Sequence, residues 1–244
     1  MKDNKYFLGI KGNKIFYRLI KTKRKTVGIT IDEKGEVKVS VPLYIDEEKI
    51  REIVQQKAPW IEKKINEIRS MNLNTVHREF TDGESLFYLG KEYVFKIIKE
   101  DLNVPKVIIN GNIIEMYISE NLLKENSKQV IKEILIKWYR QNFAEIVKDR
   151  IEKYSLLLKV KYKKIKIKDQ KTLWGSCSTK ENINLNWRLI MAPFPIIDYV
   201  VVHELCHLRF MNHSKDFWAL VEFVMPDYPE RREWLKVNGY KLTL

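Results

Sequence analysis

Histidine is scarce in this chain, with four among 244 residues, and cysteine is scarcer still, with two. Cys177 and Cys206 cannot build a disulfide framework, which excludes the small stapled scaffolds of secreted proteins. Nine glycines and seven prolines exclude a collagen-like repeat and any Gly/Pro-rich low-complexity segment. No apolar run approaches the ~20 residues of a membrane span. The N-terminus MKDNKYFLGIKG has no apolar stretch leading to a cleavage site. These absences lead us to expect a cytoplasmic chain without membrane contact, forming one large or two small domains. Charge is not lacking, since the net value is +13. That excess invites a nucleic-acid or phosphate partner, but it is lysine dispersed along the chain, which a solvated surface explains equally well.

Scarcity makes placement informative. Three of the four histidines fall within HELCHLRFMNH, residues 203–213. On a helix, His203 and His207 lie one turn apart on one face, and Glu204 sits about 60° around the axis from His207. In this arrangement two imidazoles hold zinc and the glutamate acts as base toward the metal's water. A third ligand that leaves one position open is needed, and His213 is the candidate. An unbroken helix would carry His213 round to another face. The chain is therefore expected to turn back after Met211, with Asn212 in a left-handed helix end and Ser214 capping a new helix through DFWALVEFV. A metzincin motif has the same histidine spacing but requires glycine where this chain has Phe210. Cys206, inside the motif, reads as a small buried filler rather than a ligand. The fourth histidine, His77, lies in a polar run and reads as a surface residue.

The remaining pattern is α+β. KIFYRLI, VGITI and VKVSV read as strands, followed by a helix from about 46 to 70 with acidic residues in its first turn. Its apolar stripe takes in Ile50, Ile53, Val54, Trp60, Ile61 and Ile65, and Pro59 is expected to kink or split it. Residues 80–118 return to strands. A long helix over 127–157 carries apolar residues at steps of three and four, and KKIKIK (163–168) alternates as a half-buried strand. WGSC (174–177) is no nucleophile elbow, because its second glycine is missing. INLNWRLI reads as a strand. With free backbone along residues 182–190 beside the metal helix, it is expected to pair with an extended peptide. Two domains are expected: a β-rich region over 1–125 containing one helix, and a catalytic domain over 126–244. No internal repeat is visible.

The segments TVGITI…GEVKVSVP, Trp60-Ile61 with flanking lysines, FTDGES…YLGKEY and LWGSCS…INLNWRLIMAP…DYVVVHELCHLRFMNHSKDFW make the chain resemble the YgjP-like metal-dependent hydrolases. These are relatives of SprT-type and gluzincin-like minimal metallopeptidases. Leu173 departs from the pattern, which has a basic residue before WGSC. The resemblance implies a zincin-like catalytic domain, with an active-site helix lying under a small antiparallel sheet. It also implies His203, His207 and His213 as ligands of one Zn2+ and Glu204 as base. Two substrate classes follow from it, peptides or proteins and nucleotides, since some members are described as pyrophosphatases acting on UTP. A third expectation comes from charge alone: a nucleic-acid-associated protein whose metal site is structural.

Overall fold

In the computed structural model, residues 5–10, 13–32, 35–73, 78–123, 127–170 and 173–244 are described. The chain forms two compact units, Met1–Thr75 and Val76–Leu244. The first holds a four-stranded sheet of β1 (Lys5–Ile10), β2 (Asn13–Thr22), β3 (Gly28–Ile31) and β4 (Val37–Pro42), in the order β1-β2-β4-β3. The outer pairs are antiparallel and β2 runs parallel to β4. Ile15, Tyr17, Val37, Val39 and Val41 are buried together with Ile50, Val54, Ala58 and Ile61 of α1 (Glu47–Leu73). Those four recur at steps of four, four and three, as a helix facing a sheet requires. The Asp46 carboxylate accepts from the Lys49 amide at 2.7 Å and caps α1. Of kink or split at Pro59, the split is excluded, since the helix runs on through it. One expectation fails: Trp60 lies off the stripe, 47% exposed.

The second unit opens with β5 (Ser85–Tyr88), β6 (Lys91–Lys99), β7 (Lys106–Asn110) and β8 (Ile113–Ile118), followed by α2 (Ser127–Leu158). Its order is β5-β6-β8-β7, with the outer pairs antiparallel and β6 parallel to β8. Strand order, pairing sense and the trailing long helix thus repeat those of the first unit, a repeat of topology that the sequence does not reveal. The expected domain boundary at 125/126 is corrected accordingly. It would have cut this sheet from its own helix, whose Ile131, Leu135, Tyr139, Phe143, Val147 and Ile151 share one core with Leu86, Phe95, Ile114 and Met116. The Tyr139 hydroxyl donates to the carbonyl of Phe87 at 2.8 Å.

After α2 come β9 (Lys164–Lys168), β10 (Gly175–Cys177) and β11 (Asn182–Asn186), then a 3-10 turn over Trp187–Met191, α3 (Phe194–Cys206), α4 (Lys215–Val224) and α5 (Tyr228–Asn238). The three strands form a sheet in the order β10-β11-β9. Two devices fix the entry and angle of α3. The first is the two-residue turn Leu89-Gly90 between β5 and β6, whose amides donate to the carbonyls of Ile190 (2.7 Å) and Met191 (3.1 Å). Gly90 has φ +78°, and a Cβ there would stand 2.9 Å from the backbone of Pro193, the residue preceding α3. The second is a buried fork. Arg150 of α2 donates through Nε to Asp198 Oδ1 at 2.5 Å and through Nη2 to Oδ2, and the Tyr154 hydroxyl donates to Oδ2 at 3.0 Å. No helix among the described residues is long and apolar enough to cross a membrane.

Asp198 is only 5% exposed, and Arg150 is the cation paired with it. Arg150→Met should lower the unfolding free energy by about 3 kcal/mol, because it leaves a buried carboxylate without its cation. Urea denaturation of the two proteins measures this, and equal midpoints would show that the fork does not anchor α3.

Candidate metal centre

His203 and Glu204 lie in the last turn of α3, and His207 is its C-cap, still helical at φ −64° and ψ −18°. The two imidazoles therefore keep the one-turn spacing read from the sequence. The helix ends earlier than expected, however. It stops at Cys206 and not after Met211, and Asn212 is not left-handed. The chain leaves through a tight turn in which the amides of Arg209 and Phe210 both donate to the carbonyl of Cys206 at 3.0 Å. His207 Nδ1 stands 3.0 Å from the carbonyl of Phe210, so its ring ties down the turn that ends the helix. Ser214 then caps α4 as expected, its hydroxyl accepting from the Phe217 amide at 3.3 Å.

The turn returns His213 to the pair. His213 Nε2 lies 3.0 Å from His203 Nε2, and one ring nitrogen from each of the three histidines falls within 4.8 Å of the others. Phe217, fully buried, packs against all three imidazoles with centroids 4.6–5.0 Å away. Trp218 stacks on His213 at 5.5 Å. Neither aromatic was singled out from the sequence. Their signal is the Phe-Trp pair in the first turn of the helix that follows His213.

The donor set fits a divalent cation. The Nδ1–H of His207 is directed at a backbone oxygen, which leaves Nε2 with the lone pair a metal needs. His203 is held down at about 3, by burial first and then by His207 and His213. The ring stays neutral and can ligate at neutral pH. Three nitrogen donors leave one position of a tetrahedral site open. Both thiols are raised, Cys206 to about 12 and Cys177 to about 11, chiefly by burial. Neither competes as a thiolate ligand. His77 lies outside the described residues.

Glu204 is 5% exposed, and its Oε2 has no hydrogen-bond partner among the described residues. Burial raises its carboxyl to about 8. Gly175, in the WGSC stretch, is what admits this carboxylate, since a Cβ there would meet Glu204 Oε1 at 2.6 Å and Cδ at 2.8 Å. The glycine is required for space and not for an unusual φ.

The expected cleft strand is corrected. Strand β11 ends at Asn186, is central to its sheet, and has β9 and β10 on either side. The edge beside Glu204 is β10. The amides of Asn186 and Ser178 bond across to Trp174 and Asn182. By alternation, the backbone groups of Gly175 and Cys177 point away from β11. Arg188, just past the end of β11, is paired with Asp169 and lies over the Trp187 ring at 4.7 Å. Arg209 donates to the carbonyl of Leu158 at 2.8 Å. A cation the sequence reading passed over, Arg232 of α5, stands 5.0 Å over the Trp218 ring, and its charge helps lower both His203 and His213.

The metal-free protein should show these shifts in its stability. Folded His203 refuses a proton that the unfolded ring binds below 6.5, so its contribution rises with pH between about 3 and 6.5. Folded Glu204 keeps a proton that the unfolded carboxyl loses above 4.5, so its contribution falls between 4.5 and about 8. The two oppose each other up to 6.5, and beyond it only Glu204 acts. Stability in chelator should then fall by up to about 1.4 kcal/mol per pH unit as far as about pH 8. In Glu204→Gln the slope should vanish. Urea titrations of both proteins at several pH values test this, and parallel slopes would refute it.

Over residues 25–238 the sequence matches the family described as YgjP-like, metallopeptidase domain. No curated protein matches it. Four chains of solved structures match, among them the crystal structure of the metallopeptidase zymogen of Pyrococcus abyssi abylysin. That match has 27% identity, covers 36% of this chain and 89% of the other, and has a TM-score of 0.34. With most of its length matched, the chain belongs to the YgjP-like metallopeptidase family.

Proposed function

We propose that the protein is a zinc-dependent metallopeptidase holding one Zn2+ per chain on His203, His207 and His213, with Glu204 as general base. The observation that carries this is the convergence of three imidazole nitrogens beside a buried carboxylate whose Oε2 has no hydrogen-bond partner among the described residues. When bound, zinc supplies Lewis acidity and lowers the pKa of a coordinated water to about 7. It also brings a positive charge close to Glu204, which favours the ionised carboxylate over the neutral form that burial selects. Glu204 then takes the proton of the attacking water and returns it to the departing amine. Phe217 keeps water from the inner side of the imidazoles, and the Phe210 carbonyl fixes the tautomer of His207.

In this reading the peptide lies extended along the outer edge of β10, where the backbone of Gly175 and Cys177 offers donors and acceptors. The carboxylate reaches that edge because position 175 has no side chain. The fold in this reading is zincin-like, with α3 as the active-site helix. A nucleotide substrate would need several free cations around the metal. Arg188 and Arg209 are already engaged elsewhere, so the peptide reading is preferred to UTP hydrolysis and to nucleic-acid association.

Purified protein should contain about one zinc per chain, and His213→Ala should lose most of it while its circular dichroism spectrum persists. Glu204→Gln should keep zinc while turnover of peptides drops by roughly 10²-fold or more. Loss of zinc in that variant would make Glu204 a ligand, and unchanged turnover would remove its role as base.

Substrate class is decided by side-by-side kinetics on a peptide pool and on UTP, with Glu204→Gln subtracting contaminants. Peptide cleavage dependent on Glu204 is expected to exceed pyrophosphate release. The reverse ranking would favour the nucleotide reading.

A further inference from the structure

The arginines around the centre divide into engaged and free. Arg150 forks onto Asp198, Arg188 pairs with Asp169, and Arg209 donates to a backbone carbonyl. Arg231 is fully used: its Nε bonds Asp227 at 2.8 Å and its Nη1 bonds the carbonyl of Pro195 at 3.0 Å. Its neighbour Arg232 is exposed and has no hydrogen bond or ion pair among the described residues. Its guanidinium lies over Trp218, the same indole that stacks on His213, and Tyr228 stacks on that indole at 5.2 Å.

This is an unusual place for an uncompensated cation. A metal on the three histidines repels it, and so does any proton on them. Stacking restricts the side chain before any ligand arrives, so less rotamer entropy remains to be lost when its planar fork meets a carboxylate. We propose that Arg232 is a specificity residue that receives a carboxylate carried by the peptide near the scissile bond. That group is either the C-terminal carboxylate of the peptide or an Asp or Glu side chain. The inference rests on the metallopeptidase reading. It assigns the +13 chain a preference for acidic peptide substrates at one defined side chain.

The test is binding, not turnover. Dipeptide hydroxamates anchor on a protein-bound metal through the hydroxamate alone. Three are compared on the zinc-loaded full chain: one with a free C-terminus, one with a C-terminal carboxamide, and one with a carboxamide and an aspartate side chain. Wild type should bind at least one acidic ligand about 10-fold more tightly than the neutral one, and which one identifies the source of the carboxylate. Arg232→Gln should bind all three alike with its zinc content unchanged. Arg232→Lys should restore part of the preference in a salt-sensitive form. Equal affinities in wild type, an undiminished preference in Arg232→Gln, or an equal loss for all three ligands would overturn the proposal while leaving the metal site standing. If none of the three binds zinc-loaded wild type, the metal-site reading and this inference fall together.

Discussion

A carboxyl group buried without a partner for one oxygen, placed beside three imidazoles, is the feature on which the second unit depends. Desolvation alone opposes its ionisation strongly enough to hold Glu204 at about 8. Such a group persists only where the surrounding structure fixes it independently. Here the fixing is supplied by elements distant in sequence. The Arg150–Asp198 fork anchors α3 to α2, the Leu89-Gly90 turn sets where α3 begins, and Gly175 vacates the space that the carboxylate fills. None of these groups performs chemistry, and all are conditions for it.

The same arrangement couples folding to the proposed metal. Burial favours the neutral ring of His203 and the protonated carboxyl of Glu204. A dication on the three imidazoles would oppose the desolvation that raises the carboxyl and favour its ionised form. On the proposed reading, metal uptake would release that proton and leave Glu204 ionised, as a base requires. Phe217 adds to this effect from below. By packing against all three rings it excludes water and fixes their positions.

Much of this could be read from the amino-acid sequence, for reasons that are local. Helical period alone put His203 and His207 on one face, Ser214 announced the start of α4, and the strands and long helices followed their periodicities with small shifts at their ends. What escaped was non-local. The end of α3 is set by a side-chain-to-carbonyl bond from His207 to Phe210, which no propensity encodes. That INLN is a central strand and GSC the edge depends on pairing partners 6 to 18 residues away, and alternation is the same for both kinds of strand. The reason for glycine at 175, the Glu204 carboxylate filling the space a Cβ would occupy, lies 29 positions further on. Trp60 was misplaced because a helical stripe read from residue type alone admits an exposed tryptophan at its margin.

The repeated topology explains where the chemistry was able to settle. Each unit begins with four strands in the same order followed by a long helix, a scaffold with an apolar core and no metal-ligating cluster among its described residues. Only after α2 does the chain add β9–β11 and α3–α5, and every group of the centre lies in that addition. In the second unit the scaffold shares one apolar core with this addition, and the Leu89-Gly90 turn and the buried Arg150–Asp198 ion pair fix the two against each other. Contacts of this kind transmit position without supplying reacting atoms. Substitutions in the first part of this unit should therefore act on the site through the angle and depth of α3, whereas those in β10, the turn after His207 and α5 act on the metal and on whatever lies against it.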